Sequence, residues 1–252
     1  MVRGQYIAGT GMLLQRRKME TITNNITNVE TTGYKKDHLV SRSFDDVLIE
    51  RRNDTAVVGL TQMVGPLDFG TRVDQIYTNY ETGNFEETSR STDMALVGDV
   101  FFTLSTPGGE RYSKAGAFLI NSQGFLTDGE GHFLLGNNGP VYVGSEDFSV
   151  DERGNVFVDD QVINSLRIVT FADNENLRKQ GSNLYFTVDG EQPVQAQECV
   201  VKQGFLENSN VEVAREMVDM MTVYRVYETN QRMLSMIDET VGKAVNEIGR
   251  LR

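Results

Sequence analysis

The chain has 252 residues, with 36 Asp and Glu against 24 Lys and Arg. That acidic balance argues against a general nucleic-acid binder, because phosphate contacts need clustered basic side chains. One cysteine, Cys199, excludes an internal disulfide framework, and two histidines, His38 and His132, leave little for general-base or metal chemistry.

The opening residues, Met1 to Ala8, lack the compact apolar core and small-residue cleavage site of a secretory signal. From about Gly4 to Thr32 the spacing predicts a helix. Met12, Met19 and Ile26 recur every seven residues, with Ala8, Ile22 and Val29 between them and Gln15 as a polar intruder. The helix is expected to stop near Thr31-Thr32-Gly33. Asn24, Asn25 and Asn28 disfavour a stable isolated helix, so they mark either a fraying end or side chains that bond between packed helices. Phe44-Asp45-Asp46-Val47-Leu48 reads as a small hydrophobic cluster, and residues 46–70 as a connecting stretch.

From about Thr71 to Val201 the pattern becomes strand-like. Val100-Phe101-Phe102-Thr103-Leu104, Phe118-Leu119-Ile120 and Leu166-Arg167-Ile168-Val169 are short apolar runs. Turn signals separate them at Thr106-Pro107-Gly108-Gly109, Asp128-Gly129-Glu130-Gly131, Asn137-Asn138-Gly139 and Asp189-Gly190. With no long helical stretch between them, a mostly antiparallel β domain over residues 71–204 is expected. Phe118-x-Ile120-Asn121-x-x-Gly124-x-Leu126 repeats thirty residues later as Phe148-x-Val150-Asp151-x-x-Gly154-x-Val156. Each copy predicts a hairpin whose Asn or Asp opens the turn and whose Gly takes positive φ.

Helical spacing returns over residues 205–252. Ser209 and Glu212 form the S-x-x-E capping-box pattern. Asn230, Leu234, Ile237, Val241, Ala244, Ile248 and Leu251 then alternate spacings of four and three, and Met217, Met220, Tyr224 and Tyr227 extend the stripe upstream. A helix of roughly 43 residues would be ~65 Å long, more than a β domain of this size can cover. The fold class expected is α+β: a discontinuous coiled-coil domain from the N- and C-terminal helices, with an inserted mostly antiparallel β domain. Two readings of the ends stay open. One is an intramolecular helical hairpin. The other is a polymer subunit, whose polar breaks at Gln15, Asn230, Gln231 and Asp238 select register and oligomer state at a cost in stability.

Competing signals are weak. Asn25-Ile26-Thr27 and Asn53-Asp54-Thr55 fit the glycosylation sequon by coincidence. The pairs Asp45-Asp46, Glu86-Glu87 and Asp159-Asp160 read as solvated surface, since adjacent carboxylates on a strand point to opposite faces. Cys199 reads as a small buried hydrophobe, and no G-x-S-x-G, H-E-x-x-H or P-loop pattern occurs. No catalytic residue, metal or cofactor is expected.

Asn24-Asn25-Ile26-Thr27-Asn28-Val29-Glu30-Thr31-Thr32-Gly33-Tyr34-Lys35-Lys36 resembles the N-terminal signature of the flagellar rod and hook protein family. Ile26 and Thr27 stand where Leu and Ala are usual. Gly204-Phe205-Leu206-Glu207-Asn208-Ser209-Asn210-Val211-Glu212-Val213, continued by Glu216-Met217-Val218-Asp219-Met220-Met221 and Arg225-Val226-Tyr227-Glu228-x-Asn230, resembles the family's C-terminal segment. Gly98-Asp99-Val100-Phe101-Phe102 and Arg111-Tyr112-Ser113-Lys114-Ala115-Gly116-Ala117-Phe118 resemble its β-domain motifs, with Val100 where glycine is common. The three matches fall in order along the chain, and the length fits rod proteins of the proximal or distal type.

The resemblance implies a structural subunit of the bacterial flagellar basal-body rod, with no enzymatic activity, small-molecule substrate or nucleic-acid partner. The expected partners are other copies of the chain, other rod and hook-family subunits and the flagellar type III export apparatus. The expected location is the basal body, outside the inner membrane, after export without a cleaved signal. Residues 1–45 would serve export and assembly and 205–252 would form the long C-terminal helix. The assembly interface implied is Met12, Met19, Ile22, Asn24, Asn25, Ile26, Asn28, Met217, Met220, Tyr227, Asn230, Leu234, Ile237, Val241 and Ile248. Phe44 and Leu48 fit the family's export motif. A surface adhesin or ligand-binding β module with coiled-coil ends is the alternative.

Overall fold

The computed structural model describes residues 2–51, 62–181, 183–188, 192–196 and 199–248. It falls into two compact units. The terminal unit gathers Met1–Asn25, Asp37–Tyr77 and Val213–Arg252, and the β unit gathers Ile26–Lys36 and Thr78–Glu212. The Asn53 sequon and the Asp189-Gly190 turn lie outside the described residues.

In the terminal unit, α1 (Val2–Thr27) and α2 (Val213–Lys243) carry the two heptad-spaced stripes, and α2 continues as a π turn over Ala244–Ile248. The helices run antiparallel. Asn25 lies opposite Glu216, Gly11 opposite Asn230 and Gly4 opposite Ile237. Both glycines face α2: a Cβ on Gly11 would stand 2.9 Å from Asn230 Nδ2, and one on Gly4 3.1 Å from Ile237 Cδ1, each the far end of a flexible side chain. Gln5 Nε2 donates to Asp238 Oδ1 at 2.8 Å along the same seam.

Both helix boundaries differ from the sequence expectation. α1 ends at Thr27, several residues before Thr31-Thr32-Gly33. The Asn25 carboxamide is occupied by Asp37, accepting from its N–H and donating to its carbonyl, both at 3.0 Å. Beyond it, Val29 and Thr31 close short turns onto Ile26 and Asn28. Asn side chains offer the backbone this alternative to helix. At the other end, Ser209 accepts from the Val211 N–H, two residues on, so no capping box forms and α2 starts at Val213.

The terminal unit also holds β1 (Asp37–Ser43), β2 (Val47–Arg51), β3 (Gln62–Leu67) and β4 (Thr71–Thr78). β1 pairs with β4, and β2 pairs antiparallel with β3, placing Val47 opposite Leu67. The stretch 46–70 thus carries a strand pair of its own.

The β unit is built from short strands whose pairings are antiparallel. β5 (Phe85–Glu87) pairs with the last strand of the unit, Phe205–Glu207, and β6 (Met94–Val97) with Val200–Gln203. The main sheet is centred on β7 (Phe101–Thr106), flanked by β8 (Gly109–Ser113), by Phe133–Gly136 and by Ile168–Thr170. β7 separates two cores because its side chains alternate between faces. Phe102 and Leu104 join Leu96, Phe118, Leu126, Leu134 and Ile168 on one side. Phe101 on the other packs with Tyr112, Val169, Phe171, Leu177 and Tyr185.

The repeated motif forms the same loop twice. Asn121 Oδ1 accepts from the N–H groups of Gln123 and Phe125, and Asp151 Oδ1 from those of Arg153 and Asn155. Gly124 and Gly154 take φ of 85° and 81°. A third copy occurs at Asp128, which caps Glu130 and His132 with Gly131 at φ 88°. Asp159 and Asp160 are not strand residues. Both have positive φ, 51° and 61°, and form the two-residue turn between Asn155–Val158 and Gln161–Ser165.

Candidate assembly site

The N- and C-terminal sequence signatures meet inside the β unit. Gly33 has φ 68° and donates to the Glu207 carbonyl at 2.7 Å. A Cβ there would collide with the Lys114 carbonyl at 2.5 Å, so glycine is required twice over. Two residues on, the Lys35 side chain is 0% exposed and its partner Glu207 1%. Lys35 Nζ donates to Glu207 Oε1 at 2.5 Å and to the Glu81 carbonyl at 2.7 Å, while the Gly83 N–H also donates to Glu207 Oε1.

A second lysine shares this environment. Lys114 Nζ donates to the Gly98 carbonyl at 2.7 Å and stands over the Phe101 ring. Burial pushes its amine down to about 8, and the nearby Lys35 cation pushes the same way, against Glu207 and Asp99. Asn210 completes the arrangement. It accepts from the Lys36 N–H at 2.8 Å and donates to the carbonyls of Asn79 and Glu81 at 2.9 and 3.1 Å. Three segments distant in sequence are thereby tied at one place.

The terminal unit is the opposite in character. Among its described residues, Ala8 and Leu14 are the apolar side chains that become buried. Tyr6, Ile7 and Leu13 of α1 remain exposed. On α2, Met217, Met221 and Tyr224 lie on one face, Val218 and Met236 on a second and Val226 and Met233 on a third, and all are exposed. Exposed apolar side chains thus stand on three faces of α2, among its charged residues. Each such side chain gains roughly 1.5–3 kcal/mol on full burial.

The residues expected at an interface take several places. Met12, Met19, Ile22, Ile26, Asn28, Met220, Tyr227, Asn230, Leu234, Ile237 and Val241 are half-buried, while Asn24 and Met217 are exposed. Asn25 is buried in its own chain, where Nδ2 also donates to Glu216 Oε2 at 3.2 Å, so its hydrogen bonds are intramolecular in this structure. The Ile248 side chain lies outside the described residues. Phe44 packs its ring 6.3 Å from that of Tyr6, and Leu48 is exposed on β2.

The seam is therefore partly covered by the facing helix, and the most exposed apolar groups lie beside it. Sequence reasoning missed Tyr6, Ile7, Leu13, Val218, Met221, Val226, Met233 and Met236 by following one stripe. Counting apolar residues on every face of each helix would have found them. Cavities open on this unit among the described residues. One of about 690 Å³ is bordered by Tyr6, Gly9, Met12, Leu13 and Tyr227. One of about 500 Å³ is bordered by Gly4, Met233, Met236, Ile237 and Thr240.

No group of three or more His, Cys, Asp or Glu among the described residues is placed to hold a metal. Cys199 packs against the larger core, and burial pushes its thiol up. Among the described residues, no helix is long and apolar enough to cross a membrane.

Comparisons with known proteins agree along the chain. The family model described as flagella basal body rod protein matches residues 6–35. The flagellar hook protein FlgE/F/G D1 domain matches 95–158, and the flagellar basal body rod FlgEFG protein C-terminal model matches 202–247. The flagellar hook-basal body complex protein FlhO of Bacillus subtilis is 31% identical, covering 100% of both chains. The flagellar basal-body rod protein FlgG of the same species is 30% identical over 98% of this chain and 99% of its own. That of Borreliella burgdorferi is 30% identical over 98% of each. Similarity of this extent, end to end and in register with both signatures, means that the chain belongs to the flagellar basal-body rod protein family.

Proposed function

We propose that the chain is a structural subunit of the bacterial flagellar basal-body rod, acting by self-assembly and not by catalysis. The carrying observation is the uncovered apolar surface of the terminal unit. Two helices that bury little between themselves gain stability by packing against helices of neighbouring subunits. Heterologous contacts that do not close into a ring propagate as a helical filament.

In this reading α1 and α2 form a discontinuous coiled-coil domain from residues 1–45 and 205–252, and residues 71–204 form a separate β-rich domain. Met12, Met19, Ile22, Leu234, Ile237 and Val241 set the register of the pair. Tyr6, Leu13, Met221 and Met236 add contacts to neighbours, which are other copies and other rod and hook-family subunits. The subunit reaches the basal body, outside the inner membrane, through the flagellar type III export apparatus, with Phe44 and Leu48 as the recognised pair.

Deletion of residues 230–252 tests the assembly reading. It removes the α2 segment opposite Gly4 and Gly11 and should abolish polymerisation, scored by pelleting and electron microscopy, with the β unit still folded. A truncated chain that still forms rods would refute it. For export, Phe44→Ala with Leu48→Ala should stop secretion without lowering cellular levels; unchanged secretion would dismiss that motif.

A further inference from the structure

We infer that Asn138 is a site of spontaneous covalent modification, converted through a succinimide ring to isoaspartate and aspartate. The inference goes beyond the rod-subunit reading and does not depend on it.

Asn138-Gly139 is the single Asn-Gly step in the sequence. It stands at the tip of the hairpin between Phe133–Gly136 and Gly139–Pro140, where Gly136 lies opposite Gly139. Gly139 takes φ 103° and neither Asn137 nor Asn138 has positive φ, so a tight turn ends on a left-handed glycine. No described heavy atom lies within 4 Å of where a Cβ on Gly139 would stand. The Asn138 side chain is exposed, and its amide makes no hydrogen bond among the described residues. The turn is held through its main chain instead. The Asn138 N–H donates to Asn164 Oδ1 at 3.2 Å, and Asn164 Nδ2 donates to the Gly139 carbonyl at 3.4 Å. The Asn138 amide is thus free to meet the Gly139 nitrogen, which no side chain shields.

In the reaction the Gly139 main-chain nitrogen attacks Asn138 Cγ. An N–C bond forms, the Cγ–Nδ2 bond breaks, and Nδ2 leaves as ammonia with the Gly139 amide proton. Water then opens the ring. Cleavage at Cγ gives aspartate; cleavage at the main-chain carbonyl carbon gives isoaspartate, whose backbone runs through the former side chain. Other candidates are held back. Asn121 Oδ1 accepts from two N–H groups, Asn164 is buried, and Asn208 Nδ2 donates to Glu86; each precedes Ser, not Gly. Asp128 does precede a glycine, but its carboxylate accepts from the N–H groups of Glu130 and His132 and lies 2.8 Å from His132 Nδ1. Either product at 138 adds a negative charge to the turn. Isoaspartate also lengthens the main chain beside Asn164, whose carboxamide is packed 2.6 Å from where a Cβ on Gly136 would stand. The hairpin therefore loosens from Gln161–Ser165.

The test incubates the native full-length chain at mildly alkaline pH and digests it with trypsin. Asn121, Asn137 and Asn138 fall in one peptide, Ala115–Arg153, so the first two are internal controls. Fragmentation should place the mass gain of an amide becoming an acid at Asn138, about tenfold faster than at either control. An isoaspartyl methyltransferase should label the same peptide. Asn138→Gln should abolish both signals, because the longer side chain must close a larger ring. Equal rates at the three positions, a gain at 138 without methyl labelling, or labelling of this peptide that persists in the Asn138→Gln chain would overturn the inference. Each of those results leaves the rod-subunit reading standing.

Discussion

Replacing Lys35 by Met isolates the buried ion pair of the β unit. The substitution keeps the length of the apolar stem but leaves the Glu207 carboxylate buried, with the Gly83 N–H still donating to Oε1 and Oε2 without a hydrogen-bond partner. Breaking such a pair from one side costs about 3–5 kcal/mol, because an uncompensated charge stays in the interior. For a unit of about 150 residues this is a fall in Tm of roughly 10–15 °C. The chain has no Trp and 9 Tyr, so near-UV circular dichroism follows the unfolding of Tyr80, Tyr112 and Tyr185 around Phe101. The double variant Lys35→Met with Glu207→Leu should recover most of the loss, since no isolated charge remains. Removing the Lys35 cation should also let the Lys114 amine rise toward its ordinary value. A loss below about 1 kcal/mol, the worth of an exposed pair, would refute the claim that this pair fastens the two sequence signatures.

The Lys114 amine sits at about 8 in the fold, below its ordinary 10.5, so the unfolded chain binds the extra proton between those values. Stability should therefore climb from pH 8 to pH 10, by up to about 2 kcal/mol, and urea midpoints of Lys114→Met should lose that slope. Gly33→Ala forces a Cβ against the Lys114 backbone at a φ that Ala resists, and should destabilise the β unit by more than about 3 kcal/mol in urea titrations. Asp151→Ala strips the N–H groups of Arg153 and Asn155 of their acceptor and should cost about 1–2 kcal/mol. Asn121→Ala and Asp128→Ala should match it if the three loops are equivalent. Met236→Asp, at a side chain 61% exposed, should leave monomer stability within about 0.5 kcal/mol yet stop polymerisation.

Much of this architecture was readable from local spacing. Met12, Met19 and Ile26 disclose α1 because a helix repeats its faces every three to four residues, and Asn121 with Gly124 discloses a capped loop because both roles lie within four positions. The loop at Asp128 was legible as a turn but not as a third copy, because Thr127 stands where Ile120 and Val150 put an apolar residue before the capping side chain. The helix ends were misplaced because Asn25 and Ser209 spend their side chains on nearby backbone. Lys35 and Glu207 stand in the two signature segments as two more charged residues. Nothing local marks them as partners, since the bond that buries them joins residues 172 positions apart. The strand pair within 46–70 went unseen because Gly65 and Pro66 disguise a short apolar run.

That separation has a kinetic consequence. The β unit takes in Ile26–Lys36 at its start and Phe205–Glu207 at its close, so a growing polypeptide holds Lys35 in reserve until nearly all later strands exist. Hairpins such as β7–β8 can form at once, because their ends are close. Bringing distant segments together waits on slow loop closure, and folds dominated by such pairings mature late. A nascent chain that has not yet reached Glu207 carries a lysine without its carboxylate partner and lacks the strand that pairs with β5.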